Sequence, residues 1–250
     1  EKVLDIISSY SEDIVVVVSA FSGVTDTLLH IGRLAAQGDE SYKDLLDELE
    51  NKHLSAIKSL IPVQKQSHAL SYVKSELNKL ETLYEGTYLV NELSPKTEAV
   101  ISGYGELLSS YIIGESARSK GLNVINKDTR ELIQTTLLFG KTVVDFDVTN
   151  ANCSSFFKES TAKITLLPGF VASDKDGVPT TLGRGGSDYT AAILAGALRV
   201  DALEIWTDVS GMYTANPNLV KQAMPINNIS YQEAMELSHF GAKVLYAPTI

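Results

Sequence analysis

The chain has 250 residues, 44% of them hydrophobic, enough to bury a full core as one large domain or two close lobes. Its formal charge is −10, from 21 Lys and Arg against 31 Asp and Glu, which excludes a broad basic face for nucleic acid and means that bound anions must meet local cations. A single cysteine (Cys153), four scattered histidines and no apolar run long enough for a bilayer exclude a disulfide framework, a thiolate zinc site and a membrane span, so the plain expectation is a cytoplasmic protein.

The first residue is Glu1, and Val3, Leu4, Ile6 and Ile7 read as the last turns of a helix already under way, so the natural start is expected further upstream. Ile14-Val-Val-Val-Val18 is a β-branched run of the kind found in a strand buried on both faces. It feeds into Ser19-Ala-Phe-Ser-Gly-Val-Thr-Asp26 and then the apolar Leu28, Leu29 and Ile31, a strand–turn–helix unit with small and hydroxylated residues at the strand's carboxyl end. Ligands of open α/β sheets bind at such ends; Ser19 and Thr25 also suit plain turn and capping roles.

Residues 41–84 carry leucines at three-four spacing, interrupted by Pro62, which predicts a helical hairpin projecting from the sheet with no chemistry of its own. Residues 97–120 are a further helix containing Ser102-Gly-Tyr-Gly-Glu-Leu-Leu-Ser109. Two glycines inside a helix cost about 1 kcal/mol each relative to alanine, so close packing or close approach of a ligand is expected there. Glu106 lies among apolar neighbours and needs a partner, which a bound ammonium or a lysine would supply. Residues 122–125 read as a short strand, and 128–138 and 150–160 as peripheral helical or loop material around a short strand at 142–144. Residues 164–171 read as one strand, with Phe170 near its end.

That strand leads to Pro179-Thr-Thr-Leu-Gly-Arg-Gly-Gly-Ser-Asp-Tyr-Thr-Ala191, a loop opening a helix. Its glycines allow a tight turn, Ser187 or Asp188 can cap the helix, and a glycine-rich helix N-terminus suits an anion. Arg184 offers a planar fork for a carboxylate and Asp188 a charge for an ammonium, a pairing that matches an amino-acid zwitterion. A capped turn with a surface Arg–Asp pair fits the same residues equally well. Beyond it, residues 202–206 read as a strand leading into Thr207-Asp-Val-Ser-Gly-Met-Tyr-Thr-Ala-Asn-Pro217, where Thr207, Asp208 and Tyr213 could meet a nucleotide. Residues 229–245 read as a helix–turn element ending near Lys243. The strand–helix alternation predicts a mostly parallel sheet with helices on both faces.

Five stretches in this order resemble the aspartate kinases of the amino-acid kinase family: Val18-Ser-Ala-Phe-Ser-Gly-Val-Thr25, 102–109 with its Gly-Glu pair, Leu182-Gly-Arg-Gly-Gly-Ser-Asp188, Trp206-Thr-Asp-Val-Ser-Gly-Met-Tyr-Thr214 and Phe240-Gly-Ala-Lys-Val-Leu245. The resemblance covers nearly the whole chain. It implies a three-layer α/β/α sandwich, with about residues 1–200 holding L-aspartate and about 201–250 holding ATP. It implies that Arg184, assisted by Ser187, grips the α-carboxylate while Glu106 and Asp188 face the ammonium. Ser19, Thr25, Phe170, Gly185 and Gly186 would line the same pocket. Thr207, Asp208, Tyr213, Asn218 and Lys243 would hold MgATP, with Lys243 and Asp208 closest to catalysis. A homodimer is implied for the full-length protein.

Four features depart from that pattern. The family's Lys-x-Gly-Gly-Thr-Ser strand has no match and is expected upstream of Glu1. The usual Asp-Pro-Arg reads Asn216-Pro217-Asn218, a usual histidine is Tyr246, and the regulatory ACT domains would follow Ile250. A glutamate 5-kinase or acetylglutamate kinase specificity, and an aspartate-binding module with a disabled nucleotide site, are the competing readings. The spacing of Gly183, Gly185 and Gly186 does not fit the G-x-G-x-x-G pattern of a dinucleotide dehydrogenase.

Overall fold

The computed structural model describes residues 2–217, 219–240 and 244–250. Its centre is a parallel sheet in which β5 (Ile164–Pro168) lies between β1 (Ile14–Val18) and β2 (Val124–Asn126), with Ile14 opposite Ile164 and Val18 opposite Pro168. The two-residue side-chain period of a strand divides this sheet between two apolar layers. Ile14, Val16, Val18, Ile164 and Leu166 pack with Leu4 and Ile7 of α1 (Lys2–Ser8) and Ala117 of α5 (Pro95–Ser119). Val15, Val17 and Leu167 face the other way, onto Cys153 of α6 (Phe146–Glu159) and Leu194 of α7 (Gly186–Leu198). This is the expected three-layer α/β/α arrangement.

Outside α5 lies the largest core. It joins α2 (Val24–Ala36), α3 (Tyr42–Leu60), α4 (Gln66–Val90) and α5 through fully buried Leu28, Ile31, Ile57, Leu80 and Ile112. The expected hairpin at Pro62 exists as α3 and α4. It does not stand clear of the body, because its apolar seam is closed by α2 and α5; the buried Tyr84 hydroxyl, on α4, donates to the Leu28 carbonyl at 2.9 Å.

The two glycines of α5 are explained by close packing. A Cβ on Gly105 would lie 2.8 Å from that of Ala20, and one on Gly103 would lie 2.8 Å from Val171 Cγ1.

Several expectations are corrected. Residues 134–138 are not peripheral loop or helix but β3 (Gln134–Leu138), which pairs antiparallel with β4 (Lys141–Val144) and parallel with β6 (Val171–Asp174); β7 (Pro179–Thr181) closes this second sheet. The run 164–171 is not one strand: the chain turns at Phe170, whose φ is 69°, so β5 and β6 belong to different sheets. Residues 150–159 lie within α6. Residues 202–206 form no strand, since β propensity needs a ladder partner and none is adjacent among the described residues; Trp206 is exposed. For the same reason β1 is only half-buried through Val17. Past it α8 (Tyr231–His239) opens with a capping box between Ser230 and Glu233. None of the described helices is long and apolar enough to cross a membrane.

Candidate active site

The carboxyl end of β1 and the start of α7 meet at a cavity of about 380 Å³. From the first come residues 19–23 and Thr25; from the second come Gly183, Arg184, Gly185, Gly186, Ser187 and Asp188; Glu106 on α5 and Phe170 also line the wall. All nine residues expected around an amino acid are thus brought together, although they span 170 positions of sequence. Asp26, at the end of the first segment, lines the cavity as well and was missed; its signal was its place in the first turn after Gly23.

The two helices that open here share one feature. Each is preceded by a left-handed glycine, Gly23 at φ 76° for α2 and Gly185 at φ 65° for α7, and neither has a side-chain cap. Ser187 and Asp188 do not cap α7, because the turn that closes with the Gly186 N–H donating to Gly183 starts the helix before them. Among the described residues, the N–H groups of Thr25, Asp26, Ser187 and Asp188 therefore have no protein acceptor. Two helix N-termini with free donors converge on one cavity, each carrying the positive end of its helix dipole.

Arg184 is exposed at the rim and makes no ion pair among the described residues, so the alternative of an Arg184–Asp188 surface pair is set aside. Negative charge lies deeper. Glu106 is 5% exposed, with the Ala20 N–H near its carboxylate, and its Oε2 has no partner among the described residues. Burial pushes its carboxyl up to about 7, against the smaller opposing effect of that backbone donor. Burial also raises the Asp188 carboxyl. Phe170 is fixed beside them because its N–H donates to Thr190 Oγ1 on α7 at 3.0 Å, and Thr190 donates in turn to the Gly186 carbonyl at 2.8 Å. Tyr246 packs on the loop, and a Cβ on Gly185 would overlap its Cβ.

Of the expected nucleotide residues, Thr207, Asp208 and Tyr213 are not part of this cavity. Thr207 and Asp208 are exposed and bonded to each other at 3.1 Å, and Tyr213 pairs with Pro225 in an isolated bridge. Asn218 and Lys243 lie outside the described residues. Among the described residues, no three His, Cys, Asp or Glu side chains are grouped to hold a metal ion.

Comparison with known proteins gives a consistent picture. Residues 1–250 match the model of the amino acid kinase family. The chain is 35% identical over 246 residues to a chloroplastic bifunctional aspartokinase/homoserine dehydrogenase 2 of Arabidopsis thaliana, covering 98% of this chain and 27% of that one. It is 32% identical to lysine-sensitive aspartokinase 3 of Escherichia coli, covering 98% of this chain and 54% of that one. Among solved structures, E. coli aspartokinase III in complex with aspartate and ADP superposes with a TM-score of 0.87 at 31% identity, over 98% of this chain and 54% of that chain. The chain thus spans about a quarter to a half of the length of these relatives.

Proposed function

This chain belongs to the amino acid kinase family, and we propose that it transfers the γ-phosphoryl group of ATP to the side-chain carboxylate of L-aspartate. The product is 4-phospho-L-aspartate, the entry to lysine, threonine and methionine synthesis. One observation carries the reading: a small cavity lined by two uncapped helix N-termini, Arg184, the half-buried Asp188 and a buried Glu106 whose Oε2 has no partner among the described residues. Aspartate has the complementary charges, two carboxylates and one ammonium. Arg184 with the Ser187 and Asp188 N–H groups suits one carboxylate, the Thr25 and Asp26 N–H groups suit the other, and Glu106 suits the ammonium.

The chemistry needs no general base. A side-chain carboxylate with an ordinary pKa of about 3.9 is already ionised at neutral pH. Its oxygen attacks the γ-phosphorus, the bond from that phosphorus to the bridging oxygen breaks, and ADP leaves with the electron pair. The obstacle is the approach of two anions, so the protein's part is in-line positioning and neutralisation of charge. Thr207, Asp208, Tyr213, Asn218 and Lys243 are the residues we assign to the nucleotide. Asp208 is the carboxylate that would hold Mg²⁺, which would supply positive charge to offset that of the nucleotide's phosphates. A Lys-x-Gly-Gly-Thr-Ser strand, if it precedes Glu1, has a place to pair: a groove of about 770 Å³ runs between β1, α7 and residues 200–206.

A second reading, an aspartate-binding module without transfer, is favoured by the exposed Thr207 and Asp208 and by Asn218 where the resembling kinases have arginine. Trapping the acyl phosphate with hydroxylamine in the intact protein separates the two. Aspartyl hydroxamate formed only with ATP and Mg²⁺ supports the kinase, whereas aspartate binding without hydroxamate supports the module. Equal or better turnover of glutamate would move the assignment to a neighbouring specificity.

A further inference from the structure

The hairpin helix α3 contributes no atom to the cavity wall, yet it reaches the wall from behind. Lys52 Nζ donates to the Ser22 carbonyl at 2.6 Å. The next residue, His53, lies fully buried with its ring 5.5 Å from that of Phe21 and tilted 30° to it. The ring is itself fixed, because Nδ1 lies 2.8 Å from the Leu49 carbonyl one turn earlier. Burial lowers the His53 pKa, so the ring is neutral, Nδ1–H is the donor in that bond, and no charge competes with the contact to Phe21.

Phe21 and Ser22 are the residues that carry the chain from β1 into α2. The Phe21 carbonyl accepts the Val24 N–H at 2.9 Å, which sets the turn that aims the free Thr25 and Asp26 donors into the cavity. The other anchor of this segment comes from α5: Ser109 Oγ donates to the Ser19 carbonyl at 2.7 Å. That bond holds only its first half. The second half, where the turn is made, is held from α3.

We propose that α3 is a positioning element for the substrate cavity, with Lys52 and His53 bracing Phe21 and Ser22 so that the N-terminus of α2 presents its donors in register. This rests on the aspartate reading only for the identity of the ligand. Lys52 touches no ligand in this scheme; it acts through the Ser22 carbonyl.

The test compares Lys52→Met and Lys52→Arg with the parent in the intact protein. Lys52 is exposed, so loss of its side chain leaves the core intact and its bond is worth no more than an exposed ion pair. For Lys52→Met we expect an aspartate KM about three- to fivefold higher, with kcat and the ATP KM unchanged. Amide exchange at residues 20–23 should be faster and the midpoint of thermal unfolding unmoved. Lys52→Arg, which keeps a donor in reach, should restore both the KM and the slow exchange. An unchanged aspartate KM, an equal rise for ATP, or unaltered exchange at residues 20–23 would overturn the proposal. If the parent protein makes no aspartyl hydroxamate at all, the functional reading fails, and the exchange rates alone then decide whether α3 braces the segment.

Discussion

Replacing Glu106 by glutamine gives the most direct measure of the cavity's charge. In the folded protein the carboxyl is raised to about 7 by burial, from an ordinary value of 4.5. The sign follows from proton binding. Between pH 4.5 and 7 the folded protein holds a proton on Glu106 that the unfolded chain has released, so this residue makes the empty protein less stable as pH rises through that window. At about 1.4 kcal/mol per pH unit, the loss approaches 3.5 kcal/mol above pH 7 and is absent below pH 4.5. Glutamine has nearly the same shape and never ionises. Glu106→Gln should therefore stabilise the ligand-free protein by up to about 3.5 kcal/mol at pH 8 and by almost nothing at pH 4.5. Aspartate binding should show the opposite trend. In the parent, affinity should rise as pH climbs from 5.5 to 7, where Glu106 ionises to meet the ammonium; in the variant it should be weak and flat. Urea denaturation at several pH values, with and without aspartate, reads both effects. A variant no more stable than its parent at pH 8 would show that Glu106 is not the costly buried carboxylate described here. A parent whose aspartate affinity ignores pH across this range would remove it from the ammonium.

Two other substitutions test the rim and the turn. Arg184→Ala should weaken aspartate by about ten- to a hundredfold with a much smaller effect on ATP, because a charge-assisted hydrogen bond contributes about 1.5–3 kcal/mol. Arg184→Lys should recover only part, since a point charge cannot pair bidentately; steady-state kinetics with each substrate varied in turn would show an effect confined to ATP if the loop serves phosphate instead. Gly185→Ala combines a left-handed φ of 65° with overlap on Tyr246, so thermal melts should show a loss of at least about 1 kcal/mol. Pairing it with Tyr246→Ala should recover the steric part alone, and full recovery would mean that the backbone conformation carries no cost.

How much of this was legible depended on how far apart the interacting residues lie. Arg184 and Asp188 could be placed because a strand, a glycine turn and a helix follow each other within about fifteen residues, and the turn chemistry is local. The meeting of that loop with Ser19 and Thr25 was legible only through the general rule that ligands lie at strand ends, together with the resemblance. Glu106 was recognised as a polar residue on an apolar helix, but its depth depends on Gly105 letting Ala20 approach, a contact 85 positions distant in sequence. The misreadings have the same origin. Residues 202–206 have β propensity without a neighbour to pair with among the described residues, β3 owes its strand character to β4 and β6, and the bond from Lys52 to Ser22, 30 positions apart, exists only once α3 folds against that turn.

The uncovered side of β1 has a practical consequence. Among the described residues its second edge pairs with nothing, and that edge belongs to five consecutive β-branched residues with no charge or proline among them. Native sheets blunt such edges with lysines, prolines or bulges, because a free row of N–H and C=O groups templates the addition of another strand. Handled as these 250 residues, the protein should self-associate edge to edge in a concentration-dependent way. A short extended peptide, rich in β-branched residues and able to add to β1, should suppress that association by occupying the same ladder.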